Sequence, residues 1–297
     1  MSRVLAVLGP TASGKTDMAV SIAERVGGEV ISVDSMQVYR GLDIGAAKPT
    51  LTQRRGVAHH MIDVAAPEDE FSVAEFRRQG RAIIESADVP LVIAGGSGLH
   101  FRALVDPMRF APTDSRVRAE LEQLSLRELV AALEEADSDS RLHVDLANRR
   151  RVVRAVEILT LTGETPAGRA ATAEARGFRS YVPEIRFTAI GVDSGDLLGE
   201  RAGRRLGEMR ASGLVSEVRS LRRGLSRTAR RAVGYREVLA FLDGEITEDE
   251  AFDRAARSTR KLARRQRTWF RRDPRIRWLR WRHGAAERVE LALEALS

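Results

Sequence analysis

Residues 4–8, VLAVL, form a short apolar run that stops at Gly9 and is followed at once by GPTASGKT. Gly9, Gly14, Lys15 and Thr16 satisfy the spacing G-x-x-x-x-G-K-[ST], and no other stretch limits the fold as tightly. Such a loop needs a buried strand before it and a helix after it, so that successive backbone N–H groups curl around one anion. The sequence supplies both, a strand over 4–8 and helical periodicity over 16–26. The loop Gly9, Pro10, Thr11, Ala12, Ser13, Gly14, Lys15 and Thr16 is therefore the candidate diphosphate-binding element. Lys15 neutralises phosphate charge, and the Thr16 hydroxyl is a candidate ligand for Mg²⁺. The loop does not say what the phosphates are attached to.

Apolar runs at 29–33 and 89–94 read as further strands, and 71–86 carries a helical period. Strands alternating with helices predict a parallel sheet covered on both faces, an α/β core of P-loop kinase-like type. The character changes near Pro112: from 113 to about 176 the pattern is helical, and EIRFTAIGV (184–192) then reads as a strand again. We therefore expect a first part of the core over 1–112, an all-helical insertion domain over 113–183, and core completion with a basic helical C-terminal region over 184–297.

Charge and composition narrow the function. The net charge of +7 suits a polyanionic partner, and the complete absence of cysteine excludes disulfides and Cys-based zinc sites. No apolar run reaches membrane-spanning length, so a cytoplasmic protein with no membrane partner is expected. The segment RAARSTRKLARRQRTWFRRDPRIRWLRWR (254–282) holds thirteen Arg or Lys against one acid, Asp273, interleaved with Trp269, Phe270, Trp278 and Trp281. Arginine meets phosphate oxygens and aromatics stack on unpaired bases, although part of such a run also serves as a solvated helix face with its aromatics in the core.

Asp34 stands where the second strand runs out, at the edge of an open sheet where ligands collect. A carboxylate there can take a proton from a nucleophile, cap a helix, or stand behind Mg²⁺; the residues alone leave these open. AGGSGLHF (94–101) puts Ser97 near the same edge, either facing substrate or within a structural turn. An enzyme that splits a γ-phosphate would be expected to place an acidic metal ligand after VPLVIA, and Gly95, Gly96 and Ser97 stand there instead.

GPTASGKT, ISVDSMQVYRGLDIGAAKP, AGGSGLHF, NRRRVVRAVEI, AVGYRE and TRKLARRQRTWFRRD occur in this order at spacings that resemble the bacterial tRNA isopentenyltransferase family, from residue 4 to about 279. The resemblance implies transfer of a dimethylallyl group from dimethylallyl diphosphate to N6 of adenosine 37, in tRNAs reading codons that begin with U, with release of pyrophosphate. It implies Asp34 as general base, Lys15, Thr16 with Mg²⁺, and Arg205 acting on the diphosphate. It also implies contacts with the tRNA anticodon stem-loop from Asp34, Ser35, Met36, Gln37, Ser97, Arg118, Arg150, Arg151, Arg154, Arg236, Arg264, Arg265 and Gln266. A monomer is expected, and ATP should bind only weakly as a phosphate mimic. Departures are Ser97 and His100, where the family usually has Thr and Tyr, and Arg149, where it has Pro. His100 is expected to be a packing variant.

Three other functions are weighed. An adenylate isopentenyltransferase acting on free adenine nucleotides needs neither the helical insertion nor the arginine-rich tail. A small-molecule kinase would release ADP. A non-catalytic RNA-binding module would have no use for Lys15, Thr16 and Asp34 together.

Overall fold

The computed structural model describes residues 3–279 and 284–296. Trp281 and Arg282 of the basic run lie outside them. The chain divides into two compact units, Met1–Val105 with Ile185–Ser297, and Asp106–Glu184. The first boundary thus falls at 106 rather than 113, because the Pro107–Pro112 stretch carries no periodicity to mark it in sequence.

The first unit is built on six parallel strands: β1 (Val4–Leu8), β2 (Glu29–Val33), β3 (His59–His60), β4 (Leu91–Gly95), β5 (Thr188–Gly191) and β6 (Ile276–Trp278). Their order is β3-β2-β4-β1-β5-β6. Successive side chains along a strand point to opposite faces, and both faces here are buried, which explains the unbroken apolar runs. Leu5 and Val7 face one side, with Met18 and Ile22 of α1 (Lys15–Val26) and Val289 and Ala292 of the terminal helix. Val4, Ala6 and Leu8 face the other, with Tyr39, Phe76, Phe101, Tyr235 and Phe270. That second face receives α2 (Val73–Ser86) and α3 (Gly98–Val105). Gly9 is required after β1, since a Cβ there would lie 2.1 Å from the Val192 carbonyl oxygen.

The C-terminal region, expected to be mostly helical, also holds a strand that the sequence does not mark: Ile276–Trp278 extends the sheet at its edge. A three-residue strand is too short for its alternation to show in sequence. Before it runs a 24-residue helix, Glu248–Arg271, started by a Thr247–Glu250 capping box. None of the described helices is long and apolar enough to cross a membrane.

The second unit is all-helical. Leu129 and Leu133 of α4 (Leu126–Ala136) pack on Val152, Val153 and Val156 of α5 (Arg149–Thr162). Asn148 caps α5, accepting from the Arg151 N–H, so Arg149 opens the helix without a proline. Its guanidinium donates to the carbonyls of Glu122 and Leu124 at 2.8 and 2.6 Å. Glu157 is fully buried and accepts from Arg118 at 2.5 Å, Arg154 at 2.7 Å and the Asp114 N–H at 3.1 Å. Burial opposes its ionisation, yet those bonds hold the carboxyl below its ordinary value. Removing one partner of a buried pair leaves the others uncompensated, so Glu157→Ala should destabilise the protein by about 3–5 kcal/mol. A urea midpoint unchanged from the parent would show that solvent already screens this cluster.

Candidate active site

All strands of the first unit run in one direction, so the loops leaving β1, β2 and β4 open at one sheet edge. A cavity of about 410 Å³ sits there, a size that suits a small ligand. Thr11, Lys15 and Thr16 line it from the first loop, Asp34, Ser35, Met36 and Gln37 from the second, and Ser97 from the third. The helix Leu198–Ala211, here α6, adds Ala202, Arg205, Leu206 and Met209, spaced so that they share one face. The helix Glu248–Arg271, which follows α7 (Leu214–Leu221) and α8 (Tyr235–Leu242) and is numbered α9, adds Thr259, Leu262, Arg265, Gln266 and Trp269. Each expected catalytic residue therefore reaches one cavity.

The phosphate loop is held in shape by its own turns and by side chains of other elements. Gly14 turns it at φ 85° and Ala12 at φ 63°. Gln266 Oε1 accepts from the Thr11 N–H at 2.8 Å, and Arg201 Nε donates to the Ala12 carbonyl at 2.8 Å. Lys15 Nζ reaches the Pro10 carbonyl at 3.1 Å. Gln266, expected to meet tRNA, is thus a brace for the loop as well as part of the cavity wall.

Asp34 accepts from the Met36 N–H on Oδ1 at 2.8 Å, and Oδ2 has no donor among the described residues. Ser97 donates its N–H to the Val33 carbonyl at 3.0 Å, which places it beside Asp34's strand end. Its hydroxyl lies 2.7 Å from His100 Nδ1. Gln37 faces inward: it accepts from Ser32 at 2.8 Å and donates to the carbonyls of Ala46 and Ala47 at 3.2 Å. It clamps the segment after Asp34, a use that its expected role as a tRNA contact does not include.

Glu217 of α7 carries no local signal, and sequence reasoning misses it. Its carboxylate accepts from the N–H groups of Asp43, Ile44 and Gly45 at 3.0, 2.7 and 3.0 Å, and from the Tyr235 hydroxyl. Three consecutive N–H groups around one carboxylate explain the DIG sequence, which has to curl there. Trp269, expected either in the core or stacked on a base, packs on Gly98, where a Cβ would lie 2.0 Å from the indole, and stays 43% exposed at the cavity. Phe270 is core, and Trp278 lies under the Arg271 guanidinium at 4.6 Å.

The remaining expected RNA contacts divide into two groups. Arg118 and Arg154 are engaged by Glu157, Arg151 by Asp145 at 3.4 Å, and Arg236 by Glu237 and Ser258. Arg150, Arg264 and Arg265 have no ion-pair partner among the described residues, and Arg150 and Arg264 are exposed. Within the basic run, Arg267 and Arg271 pair with the buried Asp193, so part of that charge is structural.

The cavity wall carries Lys15, Arg205 and Arg265 against a single carboxylate, Asp34. Burial and the neighbouring Arg205 guanidinium pull the Lys15 ammonium down to about 8, with Asp34 opposing. Burial also lowers Arg205, which has no hydrogen-bond or ion-pair partner among the described residues. Two crowded cations with one neighbouring carboxylate leave net positive charge on the cavity wall. Leu206, Met209, Leu214, Val233 and Leu262 line the same cavity with apolar side chains. No cluster of three His, Asp or Glu side chains that could hold a metal occurs among the described residues. Mg²⁺ needs no such cage when phosphates and waters complete its shell, and Thr16 beside Lys15 on the cavity wall fits that use.

The chain is similar to known proteins over nearly its whole length. The model of the IPP transferase family matches residues 37–273, and that of the isopentenyl transferase family residues 2–68. A tRNA dimethylallyltransferase of Streptomyces avermitilis is 46% identical over 305 aligned residues, covering 99% of this chain and 95% of the relative. The tRNA isopentenylpyrophosphate transferase of Bacillus halodurans superposes with a TM-score of 0.70 at 33% identity, over 100% of this chain and 97% of that one. A eukaryotic dimethylallyltransferase acting on tRNA shares the fold, with a TM-score of 0.78 at 22% identity over 97% and 77% of the two chains.

Lys15 can neutralise an anion only as the ammonium. Its charge is complete well below pH 8 and is lost as pH rises through about 8. Affinity for inorganic pyrophosphate in metal-free buffer should therefore fall above that pH, by up to about tenfold per unit, and Lys15→Arg should abolish the fall. Isothermal titration across pH 7–10 would read this directly; an equal decline in the arginine variant would assign it to another group.

Proposed function

The chain belongs to the IPP transferase family, the tRNA dimethylallyltransferases, and on that premise we propose that it moves a dimethylallyl group from dimethylallyl diphosphate to N6 of adenosine 37 in the tRNA anticodon loop. The tRNAs are those reading codons that begin with U, and the enzyme acts in the cytoplasm as a monomer. The single observation that carries this reading is the mixed lining of one cavity, where Lys15, Arg205 and Arg265 stand with Leu206, Met209, Leu214, Val233 and Leu262. An allylic diphosphate likewise joins a polyanionic head to an apolar tail. A nucleotide donor would leave those apolar side chains without a partner.

In the reaction the N6 lone pair forms a bond to C1 of the donor while the C1–O bond breaks. The bonding electrons leave on pyrophosphate, and one N6 proton passes to Asp34. The loop N–H groups, Lys15 and Arg205 meet charge that grows on the leaving group, so they act on the transition state more than on the bound donor. The Thr16 hydroxyl would hold Mg²⁺, which would supply further positive charge to the leaving group. Ser35, Met36 and Ser97 face the acceptor nucleoside, which leaves the loop stack to enter. Gln37 and Gln266 contribute by holding the walls. Arg150, Arg264 and Arg265 meet phosphates; Arg118, Arg151, Arg154 and Arg236 reach tRNA from positions already fixed by carboxylates.

Asp34→Ala should lower kcat by about 10²–10⁴ with little loss of tRNA affinity, measured with nucleotide-free buffer and a pyrophosphate assay beside modified-nucleoside mass spectrometry. Near-normal turnover would remove Asp34 as the base, and an ATP requirement would remove the prenyl donor.

Binding of tRNA should weaken steeply with salt, since each neutralised phosphate releases counterions. Replacing Arg264 and Arg265 together by Ala should flatten log Kd against log salt by about 1–2 units of slope. Filter binding between low and physiological salt tests this, and an unchanged slope would make that helix face merely solvated.

A further inference from the structure

Ser97 faces the cavity, and behind it stands a buried histidine that the reaction as described does not use. His100 is 7% exposed, lies edge-on to Phe76 with ring centroids 4.6 Å apart, and places Nδ1 2.7 Å from Ser97 Oγ. Simple packing would need no such contact. Burial pushes the imidazole down to about 4, with Asp34 opposing, so the ring is neutral at working pH and one of its nitrogens is a lone-pair acceptor.

The surroundings of Ser97 decide which atom donates. Ser97 sits at the start of α3, and the His100 backbone N–H points at Oγ from 3.5 Å. The positive end of the helix favours Oγ as an acceptor on that side, which turns the hydroxyl proton away. The atom waiting there is Nδ1. With His100 as the Nε2–H tautomer, the Ser97 O–H donates to Nδ1, and Oγ offers the cavity a lone pair and no proton.

We propose that His100 is a positioning residue that makes Ser97 a pure hydrogen-bond acceptor for the amine being prenylated. This rests on the functional reading above. An exocyclic amine carries two N–H groups. With one directed at Asp34 and the other at Ser97 Oγ, both protons are held and the nitrogen lone pair is aimed at the donor carbon. A serine hydroxyl free to rotate would spend part of its time presenting its own proton, which no N–H group can accept. The ring selects for a primary amine at the acceptor position without touching it.

The test is a double-mutant cycle on the full chain with dimethylallyl diphosphate and unmodified tRNA. His100→Phe keeps an aromatic ring against Phe76 and removes Nδ1. It should lower kcat about tenfold with both KM values within about twofold, the size expected for one orienting hydrogen bond. His100→Asn, whose Oδ1 takes the place of Nδ1, should stay within about threefold of the parent. In a Ser97→Ala background His100→Phe should cost less than about twofold further, because the group it positions is gone. A multiplied loss in that background, a phenylalanine variant as fast as the parent, or an asparagine variant as slow as phenylalanine would overturn the proposal and leave His100 a packing residue. Failure of the parent protein to transfer any prenyl group would instead overturn the functional reading, so the two failures are separate.

Discussion

One hydrogen bond, from the Thr11 N–H to Gln266 Oε1, joins positions 255 residues apart and fixes the helix α9 to the phosphate loop. The rest of the cavity depends on that attachment. The same helix lays Gln266 over Gly96 and Trp269 over Gly98, where side chains larger than hydrogen would collide. Its later arginines bind Asp193, just beyond β5. A single helix is thereby tied to the loops after β1, β4 and β5, and the wall it presents cannot shift without disturbing all of them. Preorganised donors cost no reorganisation when charge moves, which is the physical value of such bracing.

The electrostatics follow from the same enclosure. Lys15 and Arg205 are crowded and partly desolvated, and Asp34 offsets only part of their charge. The protein tolerates this repulsion because the core beneath is secure on both sheet faces. Charge crowding of this kind is common where a protein receives an anion. Glu157 gives the contrast: its buried carboxylate is met by two arginines and a backbone donor, so its own charge is balanced in place.

Much of this is legible in the residues. The strands at Val4–Leu8 and Glu29–Val33 have the bounds their apolar runs predict, because both faces of a parallel strand are buried and no alternation blurs the ends. Gly9, Lys15, Thr16 and Asp34 follow from spacing and strand ends. Glu217 cannot be found this way, since its partners at 43–45 are brought to it by tertiary folding alone. Gln37 and Gln266 are read in sequence as substrate contacts, yet both also brace the walls of the cavity. The motifs identify which residues matter but not which of them touch a ligand. Ile276–Trp278 escapes a sequence reading for want of length, and the boundary at 106 for want of any change in pattern before Pro112.

The strand order has a consequence for how the chain is made. β1 lies between β4 and β5, and the 106–184 unit separates those two neighbours in sequence. As the polypeptide leaves the ribosome, β1 can pair with β4 early, but its other edge stays bare until the intervening unit has been translated. At about 5–20 residues per second that interval is on the order of ten seconds. An apolar strand with an open edge invites pairing with other chains. The helical unit, with its own core of local contacts, can fold during the wait, and its insertion point sets the length of the nascent protein's most exposed moment.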